Sequence, residues 1–117
     1  MHKGERLPLA AADVVMAEAI VVMTEKALGC LGVVDENGFL RGIITDGDLR
    51  RHMGDGLLAR STGEIMTPAP KTVSPDLLAS AALEMINASA ITTLFVVEDG
   101  RPVGIIHIHD LLRAGVA

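Results

Sequence analysis

The sequence predicts an α/β chain of the α+β type, built from two copies of a strand–helix–strand–strand–helix unit. Three observations predict it. Matching residues recur at a fixed offset: Asp13 and Asp76 stand 63 residues apart, as do Val33 and Val96. Gly38 and Gly100, Gly42 and Gly104, and Asp48 and Asp110 stand 62 apart. A single residue lost in the second hairpin turn accounts for the change, and chance does not hold register over so many positions. Short apolar runs alternate with amphipathic stretches of helical period. Half of the 117 residues are apolar and mean hydropathy is +0.43, enough for a core without staples.

Taken in order, Pro8 demands extended backbone before it, and Leu7, Leu9 and the following alanines suit a short edge strand. Asp13 is placed as an N-cap, with Val14, Ala17, Ile20, Val21, Met23, Ala27 and Leu28 on one helical face and Gly29 ending the helix. Cys30–Val34 is a near-continuous apolar strand, and Asp35-Glu36-Asn37-Gly38 is a turn. Phe39–Thr45 is the returning strand. A short helix starts at Asp46 or Gly47, runs to Met53 and is closed by Gly54-Asp55-Gly56.

The pattern then repeats. Lys71–Pro75 is extended, Asp76 caps a helix with Leu77, Leu78, Ala81, Ala82, Met85 and Ile86 inward, and Leu94–Val97 is a strand. Glu98-Asp99-Gly100 turns the chain, Pro102–His107 returns it, and Ile108–Ala114 forms a last helix ended by Gly115. The repeats are placed at 1–56 and 64–117, with 57–63 as the linker. Neither unit is long enough to cover its own sheet. Two units face to face cover each other as a pseudo-twofold pair, with clefts where their strand-to-helix turns meet.

Composition narrows the function. The formal net charge is −5 and the only aromatics are two Phe, so basic faces and stacking platforms for nucleic acid are missing. Cys30 is the single cysteine and cannot form an internal disulfide; beside an apolar run it reads as a packed thiol. No apolar run approaches membrane-spanning length, and Met1-His2-Lys3-Gly4 leads into no signal core, so a cytoplasmic location is expected. Neither a Gly-x-x-x-x-Gly-Lys-Ser/Thr loop nor a Gly-x-Gly-x-x-Gly stretch occurs.

The chemistry concentrates in Gly42-Ile43-Ile44-Thr45-Asp46-Gly47-Asp48-Leu49-Arg50-Arg51. A buried strand ends at a hydroxyl, turns through two carboxylates and a glycine, and enters a helix. A degenerate copy is Gly104-Ile105-Ile106-His107-Ile108-His109-Asp110-Leu111-Leu112-Arg113. Such junctions suit a ligand that carries sugar hydroxyls and an anionic group.

Together with Met66-Thr67 and Thr72-Val73-Ser74-Pro75, these stretches resemble a tandem pair of cystathionine-β-synthase (CBS) domains, a Bateman module. The likeness covers essentially the whole chain. Gly-Glu-Ile-Met-Thr at 63–67 and His-Ile-His-Asp-Leu-Leu-Arg-Ala-Gly at 107–115 are similar to the C-terminal CBS pair of bacterial arabinose-5-phosphate isomerases. In that family a sugar-isomerase (SIS) domain precedes the pair, interconverts ribulose 5-phosphate and arabinose 5-phosphate, and feeds lipopolysaccharide synthesis. The resemblance implies a regulatory module without catalytic residues of its own and with no required cofactor. It would sense a nucleotide or nucleotide-sugar, adenine nucleotides being the family default and a cytidylyl-activated octulosonate the logical feedback ligand. It also implies a homodimer formed through the pair, and the SIS domain as a partner within the parent chain.

The resemblance gives Asp48 the ribose hydroxyls, which an ionised carboxylate can accept in pairs; the plainer role is an N-cap for a helix starting at Leu49. Thr45 can reach a ribose or phosphate oxygen, or simply close the strand end. Gly47 permits close backbone approach, or satisfies a turn dihedral. Asp46 repels a phosphate unless it turns away or pairs with Arg50 or Arg51, arginines suited to holding an anion. In the second copy Asp110 keeps its place, while His107 replaces Thr45 and His109 replaces Gly47, so the two clefts are expected to differ. His107 and His109 share a strand face, but without a third ligand at a telling spacing they make a weak metal motif. Two rival readings stand beside the sensor: an oligomerising module with vestigial clefts, which the imperfect second motif favours, and an enzyme centred on His107 and His109.

Overall fold

The structure, a computed structural model, describes residues 7–26, 29–54, 56–76, 81–82, 84–86 and 93–107. Two compact units divide the chain: residues 8–70, and residues 1–7 with 71–117.

In the first unit the strands β1 (Leu9–Ala11), β2 (Cys30–Val34), β3 (Leu40–Thr45) and β4 (Thr67–Pro68) form one sheet in that order. β1 runs parallel to β2 at the sheet edge, and β2–β3 and β3–β4 are antiparallel. The β2–β3 turn is closed by Asp35, whose Oδ1 accepts from the Asn37 and Phe39 amides at 2.9 and 3.0 Å. Gly38 takes φ 84° there, the left-handed backbone the turn needs.

Helix α1 spans Met16–Lys26, two residues later than an Asp13 cap implies. The delay has a tertiary cause. Val14 and Met16 exchange backbone bonds with the 60–62 segment (Met16 N–H to the Arg60 carbonyl, Thr62 N–H to the Val14 carbonyl, both 2.8 Å), and Val15 bridges to Ser61. The buried face shifts with the start. Met16, Ala19 and Met23 are inward, whereas Ala17 and Val21 face solvent. The end of this helix near Ala27 and Leu28 lies outside the described residues.

Helix α2 spans Asp46–Arg51, followed by a 3-10 turn at Leu57–Ala59 and helix α3 at Thr62–Ile65. Ser61 and Glu64 close a reciprocal capping box on α3. The Ser-x-x-Glu signature that announces it stands in the sequence at 61–64. The segment 57–63 is structured and packs on the first unit. Leu57 and Ile65 join Met16, Ala19, Met23, Leu31, Val33 and Ile44 in one aliphatic core. The Thr62 hydroxyl donates to the Ala11 carbonyl at 2.6 Å. Residues 64–70, numbered with the second repeat by sequence, pack with the first unit because β4 completes its sheet.

The second unit repeats the plan. β5 (Thr72–Val73) runs parallel to β6 (Thr93–Glu98), which pairs antiparallel with β7 (Arg101–His107). Residues 81–82 and 84–86 are helical, with Ala82 and Ile86 buried beside Val73, Leu94 and Val96. Asp99 and Gly100 both take positive φ (53° and 81°), a two-residue turn where the first hairpin uses a longer one. That is where the lost residue falls. The register confirms it: Leu31 faces Ile44 as Leu94 faces Ile106, and both hairpins bulge at the same place, Val33/Val34 and Val96/Val97. The closing helix expected over Ile108–Ala114 lies outside the described residues.

Candidate functional site

The β3–α2 junction is built by strand physics up to Thr45 and by helix capping beyond it. Ile44 is fully buried in the core, which fixes the strand end and leaves Thr45 half-buried with extended backbone at the helix entrance. Thr45 is the N-cap of α2: its Oγ1 accepts from the Asp48 amide at 3.4 Å. Asp48 answers from the third helical position, its Oδ2 accepting from the Thr45 amide at 2.9 Å and from the Thr45 hydroxyl at 3.2 Å. The helix starts at Asp46, as the sequence reading of this segment placed it, and the alternative role of Asp48 as the cap of a helix starting at Leu49 is corrected. The helix begins earlier because Thr45 already has the extended backbone and side-chain oxygen that a cap requires.

The other carboxylate oxygen is taken as well. Asp48 Oδ1 accepts from the Thr67 hydroxyl at 2.9 Å and from the Arg51 guanidinium, one turn along the helix. Four donors thus meet one carboxylate that is only 3% exposed. Burial alone pushes its pKa up. The bonds from the Thr45 amide, the Thr67 and Thr45 hydroxyls and Arg51 outweigh it and hold the carboxyl below its ordinary value.

A pH dependence follows from that direction. A depressed folded-state pKa contributes stability that is complete above the unfolded value, about 3.9 for aspartate, and is lost as pH falls through the folded one. Urea unfolding should show stability falling below about pH 4, with a shallower fall for Asp48→Asn; an equal slope in both proteins would count against it. Glu64, held down by the Ser61 amide and hydroxyl and by Arg60, titrates in the same direction, but in solvent, where screening limits its share.

The remaining sequence candidates divide. Gly47 lies within the first turn of α2, without positive φ, so no turn dihedral calls for glycine there. A Cβ at this position would stand 3.4 Å from Arg51 Nη1, 3.5 Å from Thr45 Oγ1 and 3.9 Å from Arg50 Nη2. Two guanidiniums and a hydroxyl therefore border one bare spot on the helix. Asp46 is exposed and turned toward Gly29, its Oδ2 3.7 Å from where a Gly29 Cβ would be, and Arg51 pairs with Asp48 in its stead. Arg50 is exposed.

His107 ends β7 opposite Thr93, as Thr45 ends β3 opposite Cys30, so it holds the equivalent position in the other unit. His109 and Asp110 lie outside the described residues. Among the described residues no group of three His, Cys, Asp or Glu side chains converges on a point. Among them, too, no helix is long and apolar enough to cross a membrane.

Two participants escape a reading of the β3–α2 stretch by itself. Thr67 reaches Asp48 from 19 residues away, and only the β3–β4 pairing of Ile43 with Thr67 brings it there. Arg51 was visible as a cation, but its choice of Asp48 over Asp46 depends on the i, i+3 geometry of α2. A separate depression of about 590 Å³ is lined by Ile20, Leu49, Met53, Leu57 and Leu58, with Met53 and Leu58 largely exposed.

Comparison with known proteins agrees with this architecture. The sequence pattern of the CBS domain matches residues 6–55 and 63–117. Arabinose 5-phosphate isomerase KdsD of Pseudomonas aeruginosa is 45% identical over 119 residues, covering 99% of this chain and 36% of that protein. An uncharacterized protein of Rickettsia prowazekii is 43% identical, covering all of this chain and 37% of that protein. The chain thus spans little more than a third of these relatives. Among solved structures, the CBS domain pair of protein MJ0100 in complex with 5′-methylthioadenosine and S-adenosyl-L-methionine has a TM-score of 0.84 at 26% identity, over 97% of this chain and 90% of that one. CBSX2 shares the fold at a TM-score of 0.85 and 24% identity, over 98% of this chain and 91% of that one.

Proposed function

Because this chain belongs to the CBS domain family, we propose that it is a regulatory module that binds a nucleotide-type ligand at the β3–α2 junction. Asp48 accepts ribose hydroxyls and Thr45 with Arg50 and Arg51 meets an anionic group. The observation that carries this reading is the spot beside Gly47, where two guanidiniums and a hydroxyl lie within 3.9 Å of one unoccupied position next to a buried carboxylate. Sugar hydroxyls need paired acceptors and phosphates need forked donors, and both lie within one helical turn. The adenosine-type ligands of the MJ0100 pair support the nucleoside half of the proposal.

The likeness to KdsD supports a sugar-phosphate isomerase domain as the regulated partner in a longer protein. In that setting the effector is an adenine nucleotide or the cytidylyl-activated octulosonate of the same pathway. Regulation then requires that the effector prefer one of two arrangements of the parent enzyme. The exposed Met53 and Leu58 beside their apolar depression support a second copy of the chain as a further partner. His107, with His109 and Asp110, is proposed as the unequal counterpart of this site in the second repeat.

One observation favours the rival reading of an oligomerising module with vestigial clefts. Every acceptor position of Asp48 is already filled from within the chain.

Titration separates the two. A thermal-shift series with AMP, ATP, CMP and the cytidylyl sugar should raise the melting temperature with at least one of them, by mass action on the folded state. Gly47→Ala, which the packing accommodates, should weaken that binding about tenfold by filling the spot between the cations. No shift with any ligand at millimolar concentration would leave the structural module standing.

A further inference from the structure

The nucleotide reading leaves unanswered why the carboxylate that should meet a ribose is already fully bonded. The four bonds are not equivalent. Oδ2 is held by the Thr45 amide, a bond that also caps α2 and cannot be released without loosening the helix. Oδ1 is held by two side chains that can let go: the Thr67 hydroxyl, on an exposed residue, and the Arg51 guanidinium, on a side chain 64% exposed. A ribose diol approaching Asp48 must displace both. Thr67 recovers a bond from water at little cost. Arg51 is different, because it gives up the ion-paired partner that its charge is bonded to.

We propose that Arg51 guards Asp48 and thereby makes this module selective for nucleotides that carry a phosphate over nucleosides that do not. The inference rests on the nucleotide reading above and concerns the regulation of that same site. The geometry supplies the exchange. Arg51 spans two places at once: its Nη2 bonds Asp48 Oδ1, while its Nη1 borders the bare face of Gly47, 3.4 Å from where a Cβ would stand. Thr45 Oγ1 and Arg50 Nη2 border the same point at 3.5 and 3.9 Å. A phosphate seated there gives Arg51 a new anion within a short swing of its present position. The forked guanidinium can hold a phosphate as well as it holds a carboxylate. The ribose then takes the freed Oδ1. A neutral nucleoside offers no such exchange and leaves Arg51 displaced without an anion. S-adenosylmethionine adds a positive charge beside it and fares worse still.

The test uses isothermal titration of the chain and of Arg51→Gln with two matched pairs: AMP against 5′-methylthioadenosine, and CMP against cytidine. The wild-type chain is expected to bind the phosphate-bearing member of a pair at least about tenfold more tightly, the scale of one charge-assisted bond. Arg51→Gln should gain affinity for the neutral member, lose it for the phosphate, and bring the two within about threefold. Arg51→Lys, which keeps the charge but not the fork, should fall between them. In both variants the Thr45 amide and hydroxyl and the Thr67 hydroxyl still hold Asp48, and melting temperatures measured beside the titrations certify the fold. Binding of both members by the wild type with an unchanged ratio in Arg51→Gln overturns the guard, as does weaker binding of the neutral member by the variant. Binding by Arg51→Gln where the wild type binds neither AMP nor CMP overturns the exchange, because Arg51 would then block the site whether or not a phosphate is present. Failure of both proteins to bind any of the four ligands overturns the nucleotide reading itself and the guard with it.

Discussion

Gly42→Val should destabilise the chain by about 3 kcal/mol, seen as a lower urea midpoint with an unchanged slope. Gly42 lies on β3 directly opposite Pro68 of β4. A Cβ at this position would sit 2.5 Å from Met66 Sδ, 2.9 Å from Met66 Cγ and 2.8 Å from the Thr67 carbonyl oxygen. The methionine can turn aside, since thioether side chains adapt at modest cost. The carbonyl cannot, because it belongs to the backbone of the paired strand. Relief therefore comes only by pushing β4 off β3. That displaces Thr67, and Asp48 loses the hydroxyl that bonds its Oδ1. The substitution should thus also raise the pKa of Asp48, which carbon-13 NMR of the carboxyl carbon can follow. A variant with the wild-type midpoint would show that β4 yields freely and that the glycine has no packing reason to be there.

Asp48→Ala is expected to cost about 2–3 kcal/mol by the same measurement, and so to be more than a binding mutation. The carboxylate is 3% exposed and closes the capping box that starts α2. Removing it leaves the Thr45 amide without its acceptor, strips the Thr67 hydroxyl of its partner and leaves Arg51 unpaired. Loss of a cap and loss of buried hydrogen bonds each contribute on the scale of 1 kcal/mol. Lost nucleotide affinity in Asp48→Ala is therefore ambiguous on its own. Asp48→Asn retains an acceptor oxygen for the Thr45 amide and should lose less than half as much stability. A difference in ligand affinity between wild type and Asp48→Asn then reports the charge. Equal stability of Asp48→Ala and wild type would mean that the helix caps itself by other means.

Much of the fold was legible because its signals are local. Cys30–Val34 is a strand by its apolar run, the Asp-Glu-Asn-Gly turn closes as its residues demand, and the second hairpin turns on Asp99-Gly100. The start of α1 was misplaced because Asp13 has the chemistry of a cap, yet backbone pairing of Val14–Met16 with residues 60–62 keeps the chain extended past it. The inward face of that helix moved accordingly, from Ala17 and Val21 to Met16 and Ala19. The packing of the segment 57–63 was hidden for a related reason. Its Leu57 carries no periodic pattern long enough to read, but it has a core to fill.

The sequence by itself determined the duplication, the α/β plan and the strand-to-helix junction at Thr45–Asp48. All three depend on spacing along the chain, which composition and periodicity preserve. Only the tertiary structure decided what the Asp48 carboxylate is bonded to. Thr67 arrives through strand pairing across 19 residues, and Arg51 selects Asp48 because the third helical position and the last turn of α2 fall on one face. Hydrogen bonds depend on separation in space, and that separation is set by the fold.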